Sequence, residues 1–231
     1  MPLNRDNMDK HPKKVSVIIP IHNEEDGLAY ILPQLNPFPI ISDIVIVDDA
    51  STDNSINIAC EFDKVKILTR PRLMGLGSAI RAGLDLTDSE FITVMDGDGQ
   101  HNPNAIKHLI TKFENNPSKF KILIGSRFLS QDGLQGLSLP RKIFSIILTQ
   151  TIRRIGGVNK STDPLTGMFL CHRTYIANTT MQGYKILLQI LLRNKESPVE
   201  EIPIVLEDRI GGQSKASIKE LFRVFKLCIT K

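Results

Sequence analysis

The sequence predicts an α/β fold with a mostly parallel, doubly wound central sheet flanked by helices. Three observations carry that prediction. Apolar, β-prone runs alternate with helical patterns from residue 15 to residue 124, the signature of βαβ units. The first run, Val15-Ser16-Val17-Ile18-Ile19-Pro20, is nearly continuous in apolar residues, as suits a strand covered on both faces. Two acidic clusters, Asp48-Asp49 and Asp96-Gly97-Asp98, stand at strand carboxyl ends, where open α/β sheets bind ligands.

Each element has a local cause. A strand is predicted over residues 15–20 and a helix over 24–35, opened by Glu24, Glu25 and Asp26 at its positive end. A second strand over 43–47 leads into Asp48-Asp49. Ser51-Thr52-Asp53 then offers N-caps for a helix to about residue 61. A third strand spans 64–69, and a helix spans 76–86 after the Gly75-Leu76-Gly77 turn. The fourth strand, 90–96, ends on the acidic motif. Asn102-Pro103 supplies an N-cap and a proline at the first helical position, so a helix runs to about residue 115. A fifth strand follows at 121–124. Beyond Phe128 the pattern changes to a loop over 129–138 and a helix over 139–155. Ile143, Ile146, Ile147 and Gln150 lie at helical spacing in it, basic residues stand at its ends, and Gly156-Gly157 stops it. Strands at 166–171 and 199–206, a helix at 184–193 and a last helix from about residue 218 complete the reading.

Composition narrows the class. With 41% hydrophobic and 23% charged residues, the 231-residue chain is ordinary for a folded α/β domain. A net charge of +4 is too small to argue for nucleic acid. The distribution of charge is more telling: residues 43–63 hold six acids and no base, and residues 127–160 hold six bases and one acid, Asp132. The first region offers metal ligands, the second partners for anions. Three unclustered cysteines argue against a disulfide framework or a zinc site and fit a reducing, cytoplasmic setting. The polar first 14 residues do not read as a signal peptide. No stretch reaches the roughly 18 apolar residues of a membrane span, so any membrane contact is expected to be peripheral.

Five constellations carry chemistry. Asp96 and Asp98, one residue apart after a strand, can both reach one hard divalent cation, Mg²⁺ or Mn²⁺, that also holds a diphosphate. Taken alone the tripeptide reads equally as an Asp/Gly turn. Asp49 can accept hydrogen bonds from a base or ribose, while Ser51 and Asp53 read as caps. Pro20-Ile21-His22-Asn23-Glu24 lies at the first strand end, with Glu24 either on a nucleoside or on the helix dipole. Arg127, in Gly125-Ser126-Arg127, either points to the same crevice, where guanidinium suits phosphate, or pairs with a surface acid; Arg141 and Arg209 are comparable. The stretch 139–155 is either a core-packed helix or one that lies in a membrane interface.

Together these pieces resemble the inverting family-2 glycosyltransferases, and within them the dolichol-phosphate mannosyltransferases and related polyprenyl-phosphate glycosyltransferases. The ordered series carries the resemblance: Val17-Ile18-Ile19-Pro20 with Asn23-Glu24-Glu25, then Ile46-Val47-Asp48-Asp49-Ala50-Ser51-Thr52-Asp53, Gly75-Leu76-Gly77 and Met95-Asp96-Gly97-Asp98-Gly99-Gln100-His101. It continues through Gly125-Ser126-Arg127-Phe128, Asp163-Pro164-Leu165-Thr166-Gly167-Met168-Phe169 and Glu201-Ile202-Pro203. His22 stands where the family often has Tyr, and Gly97 where Ala is frequent.

The resemblance implies a GT-A type, Rossmann-like fold over residues 15–217. A polar tail would precede it, and a helix over 218–231 would either close a soluble enzyme or lead onward, as in relatives that carry transmembrane helices there. By the same match, Pro20, His22, Glu24, Asp49, Gly77 and Asp96 would hold the nucleotide. Asp96, Asp98 and Gln100 would surround Mg²⁺ or Mn²⁺. Arg127, Arg141, Arg209 and Lys215 would receive the acceptor phosphate, and Asp98, Gln100, Arg127 and Arg209 would stand at the reaction centre. Residues 138–157 would dock on the cytoplasmic face of a membrane. The implied reaction moves a hexose, with mannose from GDP-mannose favoured, to a polyprenyl or dolichyl phosphate with inversion. Two alternatives stand beside it. One is a family-2 enzyme using UDP-glucose, a UDP-N-acetylhexosamine or a sugar hydroxyl acceptor, with Asp163 as base; the other is a membrane-associated binding module with a degenerate site.

Overall fold

The structure, a computed structural model, describes residues 14–115, 121–179 and 185–210. Its centre is a seven-stranded sheet of β1 (Val15–Ile21), β2 (Ile41–Asp49), β3 (Val65–Arg70), β4 (Phe91–Val94), β5 (Ile122–Ser126), β6 (Phe169–His172) and β7 (Val199–Pro203). The order across the sheet is β3-β2-β1-β4-β6-β5-β7. All neighbouring pairs are parallel except those of β6, which runs antiparallel to both β4 and β5.

Period-two alternation in the strands divides the core into two layers. Val15, Val17, Ile19 and Ile21 face one side, with Leu28, Ile31, Leu32 and Leu35 of α1 (Glu25–Leu35) and Ala59 of α2 (Ser55–Ala59). Ile106, Leu109, Ile110 and Phe113 of α4 (Pro103–Asn115) join them at i, i+3, i+4, i+7 spacing. Ile18, Val45, Val47, Ile92 and Val94 face the other side. There they meet α3 (Leu76–Gly83), α6 (Arg173–Ala177), α7 (Ile186–Arg193) and the C-terminal half of α5 (Leu139–Gly156). The strand order reverses beside β1, which pairs with both β2 and β4. The carboxyl ends of β1 and β4 therefore open the crevice expected at such a switch point.

Several boundaries move, for identifiable reasons. The second helix begins only at Ser55, because Asp53 is drawn into bonds with Ser55 and with Glu25 of α1 instead of capping from 51–53. Asp53 Oδ1 accepts from the Ser55 amide at 3.1 Å and its hydroxyl at 2.6 Å, and Oδ2 accepts from the Glu25 amide at 3.1 Å. The helix of residues 76–86 tightens into a 3₁₀ turn over Leu84–Leu86. The strand placed at 166–171 begins only at Phe169, and the short α6 after it was not anticipated. In α5, only Thr149, Ile152 and Gly156 are buried, so the helix packs by its C-terminal half alone. Gly157 ends it in the left-handed conformation at φ 65°. The helix predicted from residue 218 and the tail before Lys14 lie outside the described residues.

Candidate active site

A cavity sits at the carboxyl edge of β1, β2 and β4. One wall is Pro20, Ile21, His22, Glu24 and Asp49; Leu73, Gly75 and Leu76 rim it; Asp96, Gly97, Asp98 and Arg209 form the opposite wall. Two loops build the first wall by stitching to each other. The Asn23 amide donates to Ser51 Oγ at 2.8 Å, and Asn23 Oδ1 accepts from the Thr52 amide at 2.7 Å. Ser51 in turn donates to Asp48. Asn23 and Ala50 take left-handed turns, at φ 56° and 59°, to make these contacts. His22 Nδ1 donates to the Asp49 carbonyl at 2.7 Å, which fixes the ring against the cavity. Glu24 is buried at the start of α1, with its amide donating to Ser55 Oγ at 3.0 Å.

Asp49 is itself heavily engaged. Its Oδ2 accepts from the amides of Met74 at 3.2 Å and Gly75 at 3.0 Å, and its Oδ1 pairs with buried Arg70. Arg70 also donates to Ser78 Oγ at 2.7 Å. The carboxylate thus shapes the rim at 73–75 as well as the wall, a role the sequence reading did not assign. Gly77 is buried inside α3, and its neighbours Gly75 and Leu76 reach the cavity instead.

The second wall depends on close backbone approach. A Cβ on Gly27 of α1 would lie 2.0 Å from the Gly97 carbonyl oxygen, so the helix rests directly on the Asp96-Gly97-Asp98 turn. A Cβ on Gly167 would lie 2.3 Å from Asp96 Oδ2. Because β6 is antiparallel, its leading segment arrives at the edge where β4 ends, and Gly167 becomes the floor beneath that carboxylate. A Cβ on Gly97 would come within 2.7 Å of Ile21 Cγ2, so glycine suits the position given this neighbour. Behind the turn, buried His101 Nδ1 accepts the Asp96 amide at 3.3 Å.

The two carboxylates differ. The Asp96 side chain is 41% exposed. Asp98 is buried: Oδ1 accepts the Gln100 amide at 3.1 Å, and Oδ2 accepts Arg209 Nη2 at 2.6 Å and Nε at 3.1 Å. Arg209 is held there by a strap over residues 206–210. Glu207 accepts from Tyr30 Oη at 3.2 Å and Asn102 Nδ2 at 2.6 Å, its amide donates to the Gln100 carbonyl at 3.0 Å, and the Ile210 amide donates to the Asp98 carbonyl at 3.2 Å. Gln100 Nε2 donates to the Glu207 carbonyl at 3.2 Å, so this side chain binds the strap and does not line the cavity.

Arg127 follows β5 and is locked to Asp163. Nε donates to Oδ2 at 2.6 Å, Nη2 to Oδ1 at 2.7 Å, and the Arg127 amide to Oδ2 at 3.1 Å. The Asp163 side chain is fully buried, at 0% exposure. Burial alone would lower the guanidinium pKa, but the hydrogen bonds and charge of Asp163, with the charge of Asp96 added, hold it above its ordinary value. Arg127 lines a second cavity with Phe128, Gln135, Lys142 and Ile146. Lys142, not Arg141, is the α5 cation on that lining; Arg141 is exposed. Lys215 lies outside the described residues.

A divalent cation fits this arrangement. Among the described residues no group of three or more His, Cys, Asp or Glu is arranged to hold a metal ion by itself. Two oxygen donors, with diphosphate oxygens and water completing the shell, are the usual setting of Mg²⁺ or Mn²⁺ beside a nucleotide. Asp96, over its glycine floor, and Asp98, if parted from Arg209, would be the two donors in such a setting.

The comparisons agree with the architecture. A dolichol-phosphate mannosyltransferase of Pyrococcus furiosus is 32% identical over 222 residues, covering 92% of this chain and 62% of that protein. This chain therefore spans less than two thirds of that relative's length. A Saccharomyces cerevisiae protein of the same name is 25% identical over 228 residues, covering 90% of this chain and 83% of its own. A glucosyl-3-phosphoglycerate synthase of Mycobacterium tuberculosis, solved with Mn²⁺, UDP-glucose and phosphoglyceric acid, superposes with a TM-score of 0.73 at 14% identity. It covers 94% of this chain and 79% of that one, a likeness of fold, which is of the GT-A type. The family model for Glycosyl transferase family 2 matches residues 16–179, and with the switch-point cavity and its acidic turn this places the chain in Glycosyl transferase family 2.

Proposed function

We propose that this chain transfers a hexose from a nucleoside diphosphate sugar to a polyprenyl phosphate with inversion at the anomeric carbon, with mannose from GDP-mannose the favoured donor. The observation that carries the reading is the meeting of Asp96, Asp98 and Arg209 on one wall of a cavity whose other wall, Pro20 to Asp49, suits a nucleoside. Bound at Asp96 and Asp98, Mg²⁺ or Mn²⁺ would offset negative charge on the leaving diphosphate. The protein's own residues do the rest. His22, Glu24 and Asp49 frame the nucleoside, and Arg127 and Arg209 bring positive charge to where two anions must meet.

A phosphate acceptor is already anionic near neutral pH and attacks without a general base. A sugar hydroxyl needs one, and Asp163, the base candidate, is fully buried and bidentate to Arg127. That engagement favours the phosphate acceptor over the hydroxyl alternative. The exposed apolar side chains Leu139, Ile143, Phe144 and Ile147 of α5, beside Arg141 and Lys142, support docking on the cytoplasmic surface of a bilayer. No helix among the described residues is long and apolar enough to cross a membrane.

The test is a transfer assay with purified protein, Mn²⁺ or Mg²⁺, labelled GDP-mannose and polyprenyl phosphate. Sugar should pass to an organic-extractable product, and Asp98→Ala should abolish turnover. Failure with every common nucleotide sugar by folded, Mn²⁺-binding protein rejects the reading.

A further inference from the structure

Glu201, from the Glu201-Ile202-Pro203 motif, lies on β7 opposite Ile124 of β5. It is not on the lining of either cavity described above, yet it gathers the segment that controls Arg127. Its Oε1 accepts from Ser161 Oγ at 2.8 Å and the Thr162 amide at 2.8 Å, and its Oε2 accepts from Thr162 Oγ1 at 2.5 Å. A carboxylate only accepts, so each of these hydroxyls must spend its proton on Glu201. The remaining directions then follow. Ser161 Oγ accepts the Asp163 amide at 3.1 Å. Ser126 Oγ donates to Thr162 Oγ1 at 2.6 Å and accepts the Phe128 amide at 3.2 Å. These bonds clamp residues 126–128 and 161–163, the two backbones that carry Arg127 and Asp163.

We propose that Glu201 is a positioning residue for Arg127. By polarising every hydroxyl in the clamp one way, it fixes Asp163, and Asp163 fixes the Nε–Nη2 edge of the guanidinium. The inference rests on the proposed function only for what Arg127 then does, which is to face the acceptor phosphate. Glutamine at 201 keeps the size but replaces one accepting oxygen with a donor. Where that donor meets Thr162 Oγ1, the Thr162 hydroxyl must reverse towards Ser126 Oγ, the Ser126 proton loses its acceptor, and the Arg127–Asp163 pair loosens.

The experiment compares wild type, Glu201→Gln, Asp163→Asn and the double variant, all checked for a cooperative unfolding transition. The first readout needs no activity. Hydrogen exchange of the Arg127 Nε–H is followed by ¹⁵N-arginine NMR, with the signal assigned by its loss in Arg127→Lys. Exchange in Glu201→Gln is expected to accelerate about tenfold, the scale of one lost charge-assisted hydrogen bond. The second readout is kinetic: acceptor KM rises about tenfold while nucleotide-sugar affinity stays as in wild type, and the double variant is no worse than Asp163→Asn. Unchanged Nε–H exchange overturns the inference, whether or not the protein transfers sugar. Equal loss of donor and acceptor binding, or additive losses in the double variant, overturns it as well. Absence of transfer by wild type with intact Nε–H protection counts against the proposed function alone.

Discussion

Gly27→Ala provides a severe test of how the acidic turn is built. The added Cβ would stand 2.0 Å from the Gly97 carbonyl oxygen and 3.1 Å from the carbonyl carbons of Gly97 and Asp98. Tight contacts of this kind end at about 3.0 Å, so α1 and the turn must part by about 1 Å. Backbone stands on both sides, so no rotamer change can absorb the clash. Overpacking of this sort costs about 1–3 kcal/mol. The better helix propensity of alanine returns at most about 1 kcal/mol. The net cost of up to about 3 kcal/mol, at about 2–4 °C per kcal/mol for a chain of this size, lowers Tm by up to about 12 °C. The larger effect falls on function, because a 1 Å displacement of reacting groups costs about 100-fold in rate. Thermal unfolding, Mn²⁺ binding and turnover measure the three effects. Gly83→Ala is the contrasting substitution, since its Cβ would meet side-chain methyls of Ile18 and Val47, at 2.9 Å and beyond, and no backbone of the acidic turn. A Gly27→Ala protein with Tm within about 1 °C of wild type and turnover within about twofold would refute the argument.

Three further outcomes are expected. Arg209→Gln frees Asp98 Oδ2 from two charged hydrogen bonds, so Mn²⁺ affinity without donor should rise about tenfold while turnover falls; electron paramagnetic resonance titration checks it, and unchanged affinity refutes it. Ile143→Glu and Ile147→Glu, at positions 52% and 59% exposed, should each weaken co-sedimentation with anionic vesicles about tenfold without changing donor affinity; undiminished vesicle binding refutes α5 as the docking face. Burial would raise the Asp43 pKa, but hydrogen bonds from Lys66, Thr87 and Ser16 outweigh it and hold the group below its ordinary 3.8. A depressed carboxylate stabilises the fold above 3.8, and that stability is lost as pH falls through its lower folded value. The Tm gap between wild type and Asp43→Asn should therefore be full near pH 6 and close below about pH 4; a gap independent of pH refutes it.

The sheet, its handed alternation with helices and the acidic strand ends were legible because each is local. Apolar runs of four to seven residues, Asn102-Pro103 and Gly156-Gly157 mark elements from nearest neighbours alone. The antiparallel entry of β6 was not legible, since nothing within Phe169-Leu170-Cys171-His172 states which strands it will join. The same limit hid the partners of the candidate residues. Asp49 paired with Arg70, Arg209 on Asp98 and Asp163 on Arg127 are separated by 21, 111 and 36 positions. Gly27 was readable in principle, because a glycine inside a predicted helix asks for a close backbone neighbour. Gln100 and Arg141 illustrate the converse: motif position indicates the neighbourhood, and side-chain commitments made elsewhere decide what is left to reach the cavity.

The slot taken by β6 also bears on how the chain comes together. β4 and β5 follow one another in sequence but are not neighbours in the sheet; the strand that joins them is completed only at His172. During synthesis, a chain that has emerged as far as β5 carries two apolar strands with open edges and no partner between them. The half-sheet β3-β2-β1-β4 can close early, with the cavity wall from Pro20 to Asp49 formed. Arg127 meets Asp163 only when the last third of the chain arrives. Premature termination before residue 172 should therefore leave a nascent product that depends on chaperones, with sticky edges at the very place where Arg127 and Asp163 would have met.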